Sequence, residues 1–172
     1  MIYMVEHGFN DPSQEAGWNE WYSDHALHAF RSVPGWRSGQ RFVAIAPSEP
    51  KYRAMYTLAA AEVLESPEYK ATTGGRFPPA WRPLITDFHR NLGDAGWMPQ
   101  VRRHEVLLVV DPPAQDSDLP AIQIAWMNIV GLDRSVARRG IAVVERATGE
   151  QIAQQRIAGV GAYAPVFDRW VI

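Results

Sequence analysis

The sequence predicts an α+β protein whose first half is a ferredoxin-like split β-α-β antiparallel sheet. Three observations carry this. Short runs rich in β-branched and aromatic residues recur at 2–9, 36–46, 52–58 and 83–92. Helix-period stretches separate the first run from the second and the third from the fourth, which gives the order β-α-β-β-α-β. The glycine-punctuated joint Gly93-Asp94-Ala95-Gly96 then divides a unit at 1–95 from a second at 96–172.

Residues 2–9 read as a buried strand with Glu6 and His7 near its end. Neighbouring strand residues point to opposite faces, so only one of these two looks into a given pocket. Asp11-Pro12-Ser13-Gln14 reads as a helix start, with Asp11 as N-cap, Pro12 at the first helical position and Gln14 closing a capping box. This helix runs to Pro34-Gly35. At 100° per residue, Trp18, Tyr22, His25 and Ala29 fall within about 60° of one another, with Trp21 beside them. The runs 36–46 and 52–58 form an antiparallel pair, with Tyr52, Ala54, Tyr56 and Leu58 on one face. A second helix occupies 59–72, and His89 lies near the end of the fourth strand.

In the second half, 104–110 is an apolar strand ending at Asp111-Pro112-Pro113, and 119–132 suits a helix, although 122–130 also reads as a buried strand. Residues 140–145 are strand-like and Ala147-Thr148-Gly149 reads as a turn. The step from Asp11 to Phe42 has a counterpart from Asp111 to about Val143. A degenerate second ferredoxin-like repeat is therefore expected, which lacks the histidine of the first and supplies a wall.

Composition narrows the chemistry. The 172 residues carry 47% hydrophobic and 21% charged side chains and a formal net charge of −2, so a nucleic-acid partner is not expected. The pairs Arg102-Arg103 and Arg138-Arg139 read as solvated strand ends. The chain has no cysteine, which excludes disulfides, thiolate catalysis and cysteine-based metal sites and fits a cytoplasmic location. The opening residues do not read as a signal peptide, and no apolar run is long enough to span a membrane. Seven tryptophans suit either an aromatic core or the flat walls of a pocket for a hydrophobic or aromatic small molecule. Phosphate-loop, serine-elbow and metal-ligand spacings are lacking, so no cofactor and no metal are expected.

What remains is acid–base work by His, Tyr, Glu and Asp in an apolar pocket. His25 sits in mid-stripe, where an imidazole is either a core histidine bonded to Tyr22 or a backbone carbonyl, or a ligand-facing proton shuttle. The functional reading is adopted here. Tyr22 then orients His25 or binds a substrate oxygen, Tyr56 is a second donor, and Glu6, His7 and His89 are further candidates. Trp18, Trp21 and Ala29 form the substrate-binding wall.

The Trp18-x-x-Trp21-Tyr22-x-x-His25 helix with its Val33-Pro34-Gly35 end carries a resemblance, supported by the opening strand, the 52–58 strand, Glu65-Ser66-Pro67-Glu68-Tyr69 and Phe88-His89-Arg90-Asn91. Over about half of the chain these residues resemble the dimeric α+β barrel superfamily, nearest its EthD-like group. The resemblance implies two four-stranded sheets paired into a barrel, a homodimer, and a pocket between sheet and helices. Its members include muconolactone isomerases, polyketide cyclases, cofactor-free monooxygenases, haem-degrading enzymes and proteins without assigned activity, so fold alone does not give function. The extended second half departs from the pattern and leaves open whether the barrel closes within one chain. The expectation is a cofactor-independent lyase, isomerase or cyclase acting on a hydrophobic or aromatic molecule. The alternatives are a non-catalytic binding protein and a cofactor-free monooxygenase.

Overall fold

The computed structural model describes residues 1–47, 50–72 and 77–172, with the side chains of 25–27 outside the description. Strands β1 (Ile2–Phe9), β2 (Trp36–Ala44), β3 (Tyr52–Leu58) and β4 (Ile85–Gly93) come from the first half. The second half adds β5 (Glu105–Val110), β6 (Ala125–Leu132), β7 (Arg138–Glu145), β8 (Val160–Pro165) and the two-residue β9 (Trp170–Val171). The strands follow one another as β2-β3-β1-β4-β6-β7-β5-β8 and return to β2, every pair antiparallel, while β9 adds to β2.

This closed eight-stranded barrel overturns the expectation of an open ferredoxin-like split sheet. Both edges that an open sheet would expose are bonded to the second half, β4 to β6 through Asn91↔Leu132 and β2 to β8 through Phe42↔Pro165. Closure satisfies the backbone groups that an edge strand leaves unpaired. Single-strand periodicity says which face a residue takes but not which distant edge it joins. The inward apolar face of the first-half strands packs against the chain's own second half, through Leu107, Ile141 and Tyr163. The two halves order their strands alike, β2-β3-β1-β4 and β6-β7-β5-β8.

Alternation sorts the side chains into a lumen and an outer layer. Along β1, Ile2 and Met4 enter the lumen and pack with Phe42, Met55, Leu107 and Tyr163, whereas Tyr3 and Val5 face outwards. Met98 and Val101 close one end, where Gln40 Nε2 donates to the Val101 carbonyl at 2.7 Å. Glu6, Arg53, Asp111 and Arg139 form an ion cluster farther along the lumen. Arg139 donates to both oxygens of Asp111, at 2.7 and 2.8 Å, and to Glu6; Arg53 reaches Glu6 at 2.9 Å. Arg139 is 1% exposed, so it is not the solvated strand end that its pairing with Arg138 suggested.

Helices cover part of the outer layer. The expected helix after β1 is broken into α1 (Glu15–Trp21), a π-helical turn at Tyr22–Ala26 and α2 (Leu27–Arg31). Asp11 does not cap α1; its carboxylate folds back onto Ser13 N at 2.9 Å and Gln14 Nε2 at 2.7 Å. Residues 59–72 form a 3₁₀ turn (Ala61–Glu65) and α3 (Pro67–Ala71) rather than one helix. Pro67 cannot accept the preceding helical register but suits a first helical position, and Ser66 Oγ accepts from Tyr69 N. The expected turn at 147–149 lies inside α4 (Arg146–Gln155), where burial of Ile152 overrides the turn residues. Gly149 permits the close approach of α4, since a Cβ there would sit 2.7 Å from Val106. Of the alternatives at 119–132, the strand is realised, as β6. No helix among the described residues is long and apolar enough to cross a membrane.

Candidate functional site

The outward faces of β1 and β3, roofed by α1 and the π turn, gather an aromatic layer that holds, among the described residues, the imidazole of His7. His7 is 2% exposed and sits between rings: Tyr52 stacks at 5.3 Å, Tyr22 lies at 6.3 Å, and Trp18 and Phe77 present edges at 5.3 and 5.5 Å. Its Nδ1 is 2.9 Å from the Gly8 carbonyl. A carbonyl only accepts, so Nδ1–H donates and Nε2 keeps its lone pair. Burial among these rings pushes the imidazole from 6.5 down to about 4; the Gly8 bond opposes the shift and the charge of Arg41 adds to it. His7 is a neutral base at pH 7.

Beside it, the hydroxyls of Tyr22 and Tyr56 lie 3.2 Å apart, both fully inside the protein. Burial raises both phenols above their ordinary value, so each remains protonated. One hydrogen bond between two hydroxyls uses one hydrogen and leaves the other O–H to point elsewhere.

Arg41 completes the group. It is 1% exposed, its guanidinium carbon lies 4.0 Å from the centre of the Tyr22 ring, and Nη2 donates to Asn19 Oδ1 at 3.0 Å. Nη1 donates to Ser23 Oγ at 3.1 Å. Among the described residues no carboxylate pairs with Arg41, and burial holds it below its usual range. Asn19 also donates to Tyr52 Oη at 2.8 Å, and Tyr52 donates to Glu15 at 2.9 Å, which ties α1 to β3.

The structure thus brings together Tyr22, Tyr56, His7 and Trp18 of the residues expected from the sequence. Trp21 stacks on Trp18 at 5.3 Å. Ala29 does not join them: with Trp21, Glu20, Asp24 and His28 it lines an outer groove of about 640 Å³. The helical wheel failed there because the π turn, with its i→i+5 bonds, inserts an extra residue between Trp21 and Ala29. Glu6 faces the lumen, on the opposite side of β1 from His7, and is engaged by Arg139, Arg53 and Asn91. His89 is exposed on β4 and is not part of the aromatic layer. The side chain of His25 lies outside the described residues.

Sequence reasoning missed Arg41, Asn19 and Tyr52. Arg41 had a usable signal, because pairing 36–46 with 52–58 sets Arg41 opposite Ala54, on the face of Tyr52 and Tyr56. Among the described residues, His104, Glu105 and Glu145 bring potential metal-ligand atoms within 4.8 Å of one another, across the barrel from this layer.

No protein family matches the chain by sequence, and no curated protein does. Among solved structures it is similar to the crystal structure of an anthrone oxidase-like protein. That likeness has a TM-score of 0.56 and 14% identity, and covers 99% of this chain and 92% of that one. The two share a fold.

Proposed function

We propose that this protein is a cofactor-independent enzyme that moves protons on an aromatic or otherwise flat hydrophobic molecule bearing an acidic hydroxyl or ketone. The observation that carries the reading is the buried Arg41 charge beside the Tyr22–Tyr56 hydroxyl pair and the neutral His7. His7 Nε2 accepts a proton from the substrate, and the negative charge that forms on the substrate oxygen takes the left-over tyrosine O–H. The Arg41 field favours that anion, as preorganised positive groups do in water-excluded sites. The Phe77 ring, 5.1 Å from Trp18 and 5.0 Å from Phe88, adds to the aromatic surface against which a flat substrate ring would lie. Trp18 and Trp21 supply the wall. His25, one residue inside the π turn, is retained as a second proton carrier.

A second reading, cofactor-free oxidation, shares the first step, because the anion of a phenol or an anthrone is the form that reacts with dioxygen. Fold-level likeness to an anthrone oxidase-like protein favours it. A non-catalytic binding role would use the same layer without turnover.

The test is proton exchange. Under nitrogen, the protein in heavy water should accelerate deuterium uptake at the acidic C–H of anthrone, and His7→Asn should reduce this by about a hundredfold or more. Admitting air separates the readings, since only the oxidative one consumes oxygen. Acceleration that survives unchanged in His7→Asn and in His25→Asn would reject acid–base catalysis by either histidine.

A further inference from the structure

Away from the aromatic layer, a half-open cavity of about 760 Å³ lies between the 97–102 segment and β7. Its size falls in the range of small-molecule sites. Trp97 lines it and is 55% exposed, which leaves a large flat apolar ring facing water. Pro99, Ile124 and Ala125 add further apolar groups to the lining. Two guanidinium groups, Arg102 and Arg169, line the same space. Arg169 is held by Nη2 donation to Ser38 Oγ at 2.9 Å, and Arg102 has no ion pair among the described residues. The one acid in the lining, Glu105, has Oε2 engaged by the Arg102 backbone N–H at 2.7 Å. The lining therefore offers a flat ring and two cations against one carboxylate, an excess of positive charge.

We propose that this cavity binds a flat organic anion, an aromatic carboxylate, with its ring against Trp97 and its carboxylate on Arg102 and Arg169. A guanidinium binds a carboxylate through parallel N–H bonds, and both guanidinium side chains line this cavity together with Trp97. The site is separate from the aromatic layer: its lining comes from the 97–102 segment, Glu105, residues 123–125, β7 and Arg169, and it shares no residue with the His7 group.

Calorimetric titration with 2-naphthoate and with the neutral 2-naphthamide tests it, on the full chain and on Trp97→Ala, Arg102→Gln and His7→Asn. Trp97 and Arg102 are exposed, so near-ultraviolet circular dichroism should show both variants folded. The expected result is one naphthoate per chain, with affinity reduced about tenfold or more in each cavity variant and unchanged in His7→Asn. The amide should bind about tenfold more weakly than the acid. Equal affinity for acid and amide, no effect of either cavity variant, loss of binding in His7→Asn instead, or no binding at millimolar naphthoate would each overturn the proposal.

Discussion

The Arg41 guanidinium lies over the Tyr22 ring at 4.0 Å, and its hydrogen bonds go to neutral groups, Asn19 and Ser23. A buried cation held this way carries a desolvation penalty that, among the described residues, no ion pair offsets. What it adds is a positive field at the Tyr22 and Tyr56 hydroxyls, where an oxyanion would be stabilised.

Replacing that charge should therefore harm function more than folding. Arg41→Met keeps volume and removes the uncompensated cation, so unfolding free energy is expected to stay within about 1.5 kcal/mol of the parent or to rise. Deuterium exchange into anthrone should fall about a hundredfold in the same variant. Urea melts and the exchange assay, run side by side, check the two halves of this expectation.

His7 makes stability depend on acid. In the unfolded chain its imidazole titrates near 6.5, and in the fold burial lowers this to about 4. Between those values the unfolded state binds a proton that the folded state refuses. The contribution is thus fully present above about pH 6.5 and is lost as pH falls towards 4, by up to about 3 kcal/mol. Urea melts at pH 7, 5.5 and 4.5 should show this loss, and His7→Phe should show a shallower decline over the same range. Parallel declines in the two proteins would remove His7 as the cause.

Much of the first half was legible. The bounds of β1 and β3 follow from runs of β-forming residues, and the buried pair Trp18 and Tyr22 follows from helical spacing. Two physical features hid the rest. Barrel closure depends on pairings such as Phe42↔Pro165, between residues far apart in sequence, which local pattern does not encode. The π turn at Tyr22–Ala26 broke the 3.6-residue period, so Ala29 rotated out to the groove. Arg41 and Arg139 were missed because a charged residue in a strand reads as solvent-facing until its register with Ala54 or its partners Glu6 and Asp111 are known. The turn residues at 147–149 pointed away from α4, whose burial against β5 is a tertiary effect.

The lumen ion cluster is expected to fail when one member is removed. Arg139→Met leaves Glu6 and Asp111 with Arg53 as the one remaining cation of the cluster. The cost should be about 3–5 kcal/mol, the scale for an unpaired buried charge. Denaturant unfolding measures it directly, and a loss below about 1 kcal/mol would show that the cluster is solvated rather than buried.

Gly39 supports the candidate site from behind. A Cβ at this position would sit 2.6 Å from a Tyr56 ring carbon and 2.8 Å from Trp170. Neither ring lies at the end of a flexible chain, so Gly39→Ala should cost about 1–3 kcal/mol and shift Tyr56. Thermal unfolding and the exchange assay should both respond, and an unchanged melting temperature would contradict the packing described here.

If the layer around Arg41, Tyr22 and His7 is the proposed site, it stabilises the anion of an aromatic oxygen acid. The absorption band of bound 4-nitrophenol, followed against pH, reads this without any assumption about turnover. The bound phenol should ionise about one unit or more below the free compound, and Arg41→Met should abolish most of that shift. Bound nitrophenol that ionises at or above the free value, or identically in the parent and Arg41→Met, would contradict the claim.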